Sequence, residues 1–290
     1  MSRSLGEACV QGYVRTRDGT SIYYEVLGEG EPLVLIEGLG YAQWMWVEQR
    51  PLSEHVKLVI YDNRGAGLSS KPKGPYTMND FTNDLKDLLD ALSIERAFLW
   101  GVSMGGMIAM HFAVKHDKRV KGLVLGETNF GTSSLPPSQE ALNVLLRPPS
   151  SELDRKRSLI ERMKVAFSDD FVRNNMAKIE QLAELRMQFE EDPEAYKSQL
   201  AAVLTFDFKD RLKDIRSPTL IVTGDQDKVV NPVNSYIMNQ LIPNSKLVIL
   251  KGAGHLAIIE RSKDYNQLVL NFIREVSSGA FKPMKGPVVI

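Results

Sequence analysis

The chain has little of three features that define special classes of protein: cysteine, an excess of one charge, and long apolar runs. Its 290 residues include one cysteine, Cys9, which has no second cysteine for an internal disulfide or a metal cluster. The 36 basic and 36 acidic side chains leave no net charge, which argues against a general nucleic-acid binder. No apolar stretch approaches the roughly 18 residues of a membrane span, and residues 1–12 lack the apolar core of a secretory signal. We therefore expect a soluble, cytoplasmic protein with neither a membrane span nor a nucleic-acid partner.

The apolar residues fall into short runs that are typical of buried strands. They are dense in Val, Ile and Leu rather than alternating, as strands buried on both faces of a parallel sheet should be. These runs lie at residues 32–36, 56–61, 97–100, 120–125, 220–223 and 246–250. Before them, Asp18-Gly19 between two β-prone segments predicts a hairpin. Because helical patterns separate most of the runs, we predict an α/β fold, with a mostly parallel central sheet and helices on both faces.

Helical sequence interrupts this alternation between the fourth and fifth runs. From about Thr132 to Leu212 the chain is charged, rich in Met and Leu, and without any buried-strand run. At roughly 150 residues per domain, the length suggests either two domains or one large α/β domain with an insertion. We therefore predict a core formed by residues 1–131 and 213–290, with an inserted helical cap, or lid, at 132–212. The tail after Ser277 contains Gly and Pro and is expected to be loosely structured.

The pattern G-x-S-x-G occurs at Gly101-Val102-Ser103-Met104-Gly105, between a buried run and a nearly all-apolar helical segment. Small residues two positions before and after the serine allow a sharp, strained turn that exposes its Oγ at the end of the strand. The helix that follows directs backbone N–H groups to the same point. A dinucleotide-binding turn would have glycine at Ser103, and a simple helix N-cap would also explain a serine there. The strand, turn and helix together favour a nucleophile.

A serine nucleophile needs a base that is oriented by a third group. Among the four histidines, His255 lies in a glycine-containing loop directly after a strand, where its imidazole can reach a neighbouring strand end. The other three have the patterns of packing or surface residues: His55, His111 and His116. The acid should follow the preceding strand, where both Asp225 and Asp227 are available. The order serine, aspartate, histidine at the ends of three strands is that of a hydrolase triad.

With these motifs, the chain resembles the α/β-hydrolase fold superfamily and is most similar to its small esterases and enol-lactonases. Residues 61–69 resemble the D-x-R-G-x-G-x-S loop of that family, and residues 224–232 resemble its acid loop, G-x-x-D-x-apolar-apolar-x-P. The second match selects Asp227 as the triad acid and leaves Asp225 a turn-capping role. Glu260 matches the family's histidine loop, or it simply suits the dipole at the start of the last helix. The resemblance implies an α/β-hydrolase fold for nearly the whole chain apart from the cap and tail.

The resemblance also implies an oxyanion hole after the 32–36 strand. The family usually has His-Gly-x there, and this chain has Glu37-Gly38-Leu39-Gly40. The expected donors are the backbone N–H groups of Leu39 and Met104. Three aromatic residues are expected to contact the substrate, with core packing an equal alternative for the two tryptophans. These residues are Trp44, Trp46 and Phe130.

Glu37 is a departure from the family pattern because it replaces the usual histidine. Two like charges about 7 Å apart at an effective dielectric near 20 repel by roughly 2 kcal/mol, which would oppose a developing oxyanion. We therefore expect Glu37 to turn away from Ser103 and to be neutralised by Arg64 or by backbone N–H groups, so that it braces the loop. The alternative is a solvent-exposed glutamate without a partner.

The sequence thus predicts a serine hydrolase that needs no cofactor and no metal and acts on a small-molecule carboxylic ester or lactone. Ser103 would be the nucleophile, His255 the base and Asp227 the group that orients it. A C–C bond hydrolase and an aminopeptidase of the same fold are alternatives. A ligand-sensing protein with little turnover is an alternative from another class, since an intact triad is compatible with sensing.

Overall fold

One mixed sheet organises the molecule. The computed structural model describes residues 10–146, 155–189 and 192–290; Cys9 and the Pro148-Pro149 pair lie outside these ranges. Within them, the strands follow the order β1-β2-β4-β3-β5-β6-β7-β8-β9. Their bounds are Val10–Arg15 (β1), Ser21–Leu27 (β2), Pro32–Ile36 (β3), Lys57–Tyr61 (β4), Ala97–Val102 (β5), Val120–Gly126 (β6), Thr219–Gly224 (β7), Ser245–Leu250 (β8) and Pro287–Val289 (β9). The predicted hairpin β1-β2 is antiparallel, β2 pairs antiparallel with β4, and the other neighbours are parallel.

The central strands bury side chains on both faces of the sheet. In β3, Leu33 and Leu35 belong to one apolar cluster, while Val34 and Ile36 belong to another. Because successive side chains of a strand point to opposite faces, the two clusters lie on opposite sides of the sheet. This explains why the sequence shows continuous apolar runs, and it confirms the predicted mostly parallel α/β fold.

Helices cover both clusters. Those that contribute to the cluster of Val34 are α1 (Met78–Ala91), α2 (Met104–Lys115) and α8 (Val233–Leu241). The elements that cover the cluster of Leu33 include α9 (Ala257–Glu260), α10 (Ser262–Ser277) and a 3₁₀ helix at Gln43–Glu48. Nowhere in the described ranges is a helix both long and apolar enough for a bilayer span.

Residues 132–212, called the 132–212 segment below, enter and leave the core at one point. Gly131 and Asp207 form an isolated antiparallel bridge, and Phe208 N–H donates to the Phe130 carbonyl at 2.8 Å. The segment contributes α3 (Gln139–Leu145), α4 (Arg155–Ala166), α5 (Asp169–Asn174), α6 (Met176–Met187) and α7 (Pro193–Leu204). The paired ends allow this run of helices to be inserted between β6 and β7 without disturbing the sheet.

The C-terminal tail is more ordered than its Gly and Pro content suggests. Strand β9 pairs in parallel with β8 at the edge of the sheet. Just before β9, Asn239 of α8 accepts the Gly286 N–H at 2.9 Å and donates to the Met284 carbonyl at 3.0 Å. Long-range bonds to a buried amide therefore order this segment, and the expectation of a loosely structured tail is wrong.

Candidate active site

Ser103 lies at the sharp turn between β5 and α2. Its backbone angles, φ 55° and ψ −121°, belong to a conformation that is uncommon and strained for a residue other than glycine. Two bonds hold the turn: Ser103 N–H donates to the Gly126 carbonyl at 3.0 Å, and Thr128 Oγ1 donates to the Ser103 carbonyl at 2.6 Å. The strand-to-helix turn that G-x-S-x-G predicts is present.

Two glycines make room for this turn. A Cβ on Gly101 would lie 2.2 Å from the Gly105 carbonyl oxygen, and a Cβ on Gly105 would lie 2.0 Å from that of Ile36. Both distances are far below van der Waals contact, so a side chain fits at neither position. The backbones can therefore approach closely, and α2 starts directly after the serine. The N–H groups of a first helical turn have no partner within the helix, and they point to this end of β5.

Asp227 orients His255. Its Oδ2 lies 2.8 Å from His255 Nδ1, and its Oδ1 accepts the N–H groups of Val229 and Val230, both at 2.8 Å. Asp227 is 6% exposed and His255 7%, so water competes little for these contacts. Engaging Nδ1 in this way fixes the ring and leaves Nε2 as the nitrogen that can accept a proton.

The other two acids near the histidine loop hold its backbone. Asp225 Oδ1 accepts the Gly252 N–H at 2.7 Å. This local contact with the backbone agrees with the turn-capping role expected for Asp225. Glu260 accepts the Gly254 N–H at 2.9 Å, and it also accepts the N–H of Ser168 at 3.0 Å and its Oγ–H at 2.6 Å. Glu260 thus joins the histidine loop to the 132–212 segment, a contact that sequence spacing does not reveal.

Ser103 and His255 line one cavity, called the polar cavity here. The 37–40 loop forms one of its walls. A Cβ on Gly38 would lie 3.1 Å from Ser103 Cβ and 3.6 Å from Ser103 Oγ, so the loop passes directly beside the serine. Leu39 lines the polar cavity, and with Ser103 and Met104 it also lines a second cavity, called the apolar cavity. The structure therefore brings the predicted triad and the predicted oxyanion residues to one place.

The comparison that identifies the family covers most of the chain. Residues 31–262 match the model of the alpha/beta hydrolase fold family. The chain belongs to the α/β-hydrolase fold family. This confirms both the family and the fold that the motifs suggested.

The relatives of this α/β hydrolase carry different hydrolase names. It is 30% identical over 259 residues to the 2-hydroxy-6-oxo-2,4-heptadienoate hydrolase of Pseudomonas putida, a match that covers 85% of this chain and 90% of the relative. An enol-lactonase from Burkholderia xenovorans superposes with a TM-score of 0.79 and 28% identity, covering 91% of this chain and all 100% of its own. A thermophilic esterase from Thermogutta terrifontis gives a TM-score of 0.78 and 27% identity, covering 92% and 99%.

The polar cavity of this α/β hydrolase contains cationic groups that the sequence reasoning missed. Arg162 of α4, Arg186 of α6 and Tyr196 of α7 line it. Arg162 Nη2 lies 3.1 Å from the Tyr196 hydroxyl, and the Arg186 guanidinium lies 4.6 Å from the centroid of the Tyr41 ring. Arg186 is only 3% exposed. A buried arginine in a helix is itself unusual. The cavity that Arg186 lines, however, depends on how three helices pack, and residue spacing does not reveal that packing.

The apolar cavity is built mainly by aliphatic side chains. Leucines and a valine of the 132–212 segment face Met107 of α2 across the space beside Ser103. The leucines and the valine that the segment contributes are Leu135, Leu142, Leu146, Leu200, Val203 and Leu204. Ser103 therefore lines both cavities, one that has Glu37, Arg162 and Arg186 among its mainly apolar lining residues and one that is lined mainly by aliphatic side chains.

The aromatic residues expected to bind substrate lie in two settings, a cavity wall and the packed core. Trp44 lines a small cavity that adjoins the polar cavity and shares two of its lining residues. Trp46 is fully buried, with its ring edge-on to Trp100 at a centroid distance of 5.3 Å. Phe130 is also fully buried in the core. Trp46 and Phe130 are absent from the lining of both cavities at Ser103, so their predicted substrate contact is corrected to core packing.

Of the two kinds of partner predicted for Glu37, Arg64 is wrong and a backbone N–H group is confirmed. Arg64 donates to both oxygens of Asp84 at 2.6 Å and to Asp18 Oδ2 at 2.8 Å, because α1 and the hairpin turn bring these carboxylates to its side chain. Glu37 Oε2 instead accepts the Gly38 N–H at 3.0 Å, as the backbone alternative allowed. Glu37 is 3% exposed, which excludes the solvent-exposed alternative, and it is among the residues that line the polar cavity.

Protonation, rather than an ion pair, removes the charge of Glu37. Burial raises the pKa of this carboxyl to about 8; the Gly38 N–H opposes the rise, and repulsion from Asp62 adds to it. Burial likewise raises the pKa of Asp62 to about 7. The second oxygen of Glu37, Oε1, has no hydrogen-bond partner among the described residues. Glu37 is therefore mostly neutral at pH 7, which resolves the electrostatic conflict that the sequence raised.

Replacing Glu37 with glutamine should reduce an alkaline decline of kcat/KM. The carboxyl is neutral below about pH 8 and anionic above it, so raising the pH in the wild type introduces a negative charge near the developing oxyanion. For two like charges about 7 Å apart at an effective dielectric near 20, the repulsion is roughly 2 kcal/mol, or about thirtyfold in rate. The glutamine variant stays neutral throughout. Kinetics from about pH 6 to pH 10 measure the difference.

Glu127→Gln is the matched control. Glu127 is also fully buried with an unpartnered Oε1, but it lines neither the polar nor the apolar cavity in the described ranges. Burial raises the pKa of Glu127 well above its ordinary value, and because Glu127 lines neither cavity, its variant should keep the wild-type decline. An alkaline decline that persists unchanged in Glu37→Gln would assign it to another group.

Proposed function

We propose that this protein is a serine hydrolase, independent of any cofactor, that cleaves a small carboxylic ester or lactone. The observation that carries the proposal is the meeting of two separate features at the polar cavity. One is Ser103 on a strained strand-to-helix turn, and the other is the buried His255–Asp227 pair. Each costs folding free energy, through backbone strain and through burial of polar groups. Their shared position is what nucleophilic catalysis requires.

The proposed mechanism proceeds through an acyl-enzyme. Ser103 Oγ attacks the carbonyl carbon while His255 Nε2 takes its proton, and Asp227 holds the tautomer and stabilises the resulting imidazolium. The tetrahedral oxyanion accepts hydrogen bonds from the Leu39 and Met104 N–H groups. Collapse breaks the bond to the alkoxide, which leaves with the proton from His255. Water then attacks the acyl-enzyme with the same base, and the carboxylic acid is released.

The two cavities favour a substrate that has an apolar acyl group on one side of the scissile bond and a polar leaving group on the other. The apolar cavity suits a hydrocarbon acyl group, and the 132–212 segment would then act as a cap that sets the length this group can have. The polar cavity, with Arg162 and Arg186 in its wall, suits a leaving group that carries acceptor oxygens or a negative charge. A substrate of this kind would lie with its scissile carbonyl at Ser103.

Leu200→Trp should shift the acyl-length preference toward short chains. Leu200 lines the apolar cavity from α7, and the larger ring takes space that a long acyl chain would need. Since one methylene in such a pocket is worth about 1–3 kcal/mol, kcat/KM for p-nitrophenyl octanoate should fall about tenfold or more relative to the acetate. Leu241→Trp, the same change on an exposed leucine of α8, should leave this ratio unchanged. Equal ratios in the two variants would place the acyl group elsewhere.

A second candidate is hydrolysis of a C–C bond beside a ketone in a substrate that bears a carboxylate. It is favoured by the arginines of the polar cavity and by the Pseudomonas putida relative, whose name describes a dienoate hydrolase. Comparing kcat/KM for p-nitrophenyl esters, lactones, aminoacyl amides and a 2-hydroxy-6-oxo-dienoate separates the candidates. Preference for the dienoate would replace the ester proposal, and preference for the amide would indicate an aminopeptidase. A single slow acylation without turnover would indicate ligand sensing.

A further inference from the structure

Among the N–H groups of residues 38–41, in the loop beside Ser103, hydrogen bonds within the described ranges leave one donor free. The Gly38 N–H donates to Glu37 Oε2 at 3.0 Å, and the Tyr41 N–H donates to the Gly38 carbonyl at 3.3 Å. Asn63 Nδ2 donates to the Glu37 carbonyl at 2.9 Å. Among the described residues, the N–H of Leu39 takes part in no hydrogen bond. Its neighbours are held in place while this donor stays available.

The remaining N–H of the loop is held from the 132–212 segment. Gln199 of α7 is fully buried; its Oε1 accepts the Gly40 N–H at 2.9 Å, and its Nε2 donates to the Arg64 carbonyl at 2.7 Å. Because one partner is a donor and the other an acceptor, only one orientation of the amide satisfies both. Gln199 therefore links the 37–40 loop to the 61–69 loop.

Close packing supports this link. Gly40 has φ +70°, and a Cβ there would lie 2.9 Å from the ring of Tyr196. Tyr196 and Gln199 are three residues apart on α7 and so share a face of the helix. That face packs directly against the loop, with no room for a side chain at Gly40.

We infer that Gln199 is a positioning residue, which holds Gly40 so that the Leu39 N–H is directed at the oxyanion that forms on attack by Ser103. The inference rests on the proposed serine-hydrolase function. Without Gln199, the Gly40 N–H loses its partner and the loop can rotate about its glycines. Formation of the oxyanion hole then depends on contact with α7, so the 132–212 segment contributes to the chemical step as well as to the shape of the pocket.

Gln199→Met tests this role because methionine keeps the length and burial of the side chain and removes both hydrogen bonds. A misplaced oxyanion donor should lower kcat on the order of 10²-fold, with KM within about threefold of the wild type. The affinity for a boronic acid should fall by the same factor as kcat, since its tetrahedral serine adduct places an oxygen where the oxyanion develops. Gln199→Asn, which is too short to make both bonds, serves with the same readouts where the methionine variant does not fold.

Asn239→Leu is the control for a merely structural effect. Asn239 is another fully buried amide with several hydrogen bonds, but it serves the tail at the far edge of the sheet. This variant should lose stability and keep its kcat and its boronic-acid affinity. Boronic-acid affinity within about twofold of the wild type in Gln199→Met, or a raised KM with unchanged kcat, would overturn the inference. Failure of the wild type to hydrolyse esters and to bind the boronic acid would instead overturn the proposed function.

Discussion

Ser103→Ala should lower kcat by about 10⁴-fold or more, with little change in KM or in stability. The variant removes the attacking oxygen, while the oxyanion donors and both cavities remain and can still bind the ester. Alanine also retains a Cβ at a position with positive φ, so the strain of the turn is not relieved. Steady-state kinetics on p-nitrophenyl butyrate, with thermal unfolding of the same preparation, measure both effects.

The control for this variant is Ser278→Ala. Ser278 follows α10, where its hydroxyl donates to the Arg274 carbonyl at 2.8 Å on the exposed surface, and its variant should hydrolyse esters at the wild-type rate. Activity in Ser103→Ala near that of the control, once contaminating esterases are excluded, would end the serine-hydrolase proposal.

Asp227→Asn should lower kcat on the order of 10⁴-fold, whereas Asp225→Asn should cost less than about tenfold. An amide at position 227 cannot stabilise the imidazolium, and its NH₂ group can favour the wrong tautomer of His255. An amide at position 225 can still accept the Gly252 N–H through its oxygen. The two substitutions are chemically identical and two residues apart, so each serves as the control for the other.

The reverse ranking of the two aspartates would contradict the acid assignment. Equal, modest losses would show that the contact of Asp227 Oδ2 with His255 Nδ1 at 2.8 Å is not used in turnover. A solvent isotope effect that grows only in Asp227→Asn would add support, because slowed proton transfer to the imidazole would then limit the rate more fully.

Features encoded locally were predictable from the sequence. The turn at Ser103 is set by the small residues within two positions of it, and strand ends must meet at one edge of a parallel sheet. The acid and histidine loops could therefore be placed together from the sequence alone. Continuous apolar runs located the central strands to within one or two residues, for example Pro32–Ile36 and Lys57–Tyr61.

Features that depend on packing between distant segments were not predictable. The Arg64 contacts with Asp84 and Asp18 join three separate elements, and nothing in the order of residues distinguishes them from a contact with Glu37. Large aromatic residues fill cores as readily as they line pockets, so Trp46 could not be assigned without coordinates.

The sequence of α7 contains a partial signal of the Gln199 contact. On α7, Gln199 and Tyr196 share the buried face with Ala195 and Ala202. A buried glutamine on a largely apolar face must find hydrogen-bond partners there. That pattern signals a specific polar contact but not its partner, since Gly40 is 159 positions away in the sequence.

Covalent labelling tests the central claim most directly. A fluorophosphonate probe reacts with a serine only where a base and an oxyanion hole activate it, and mass spectrometry of the digested protein identifies the modified residue. The account predicts stoichiometric modification of Ser103 alone, lost in Ser103→Ala and greatly slowed in Asp227→Asn. Modification of another residue, or no modification of a folded wild-type protein, would contradict it.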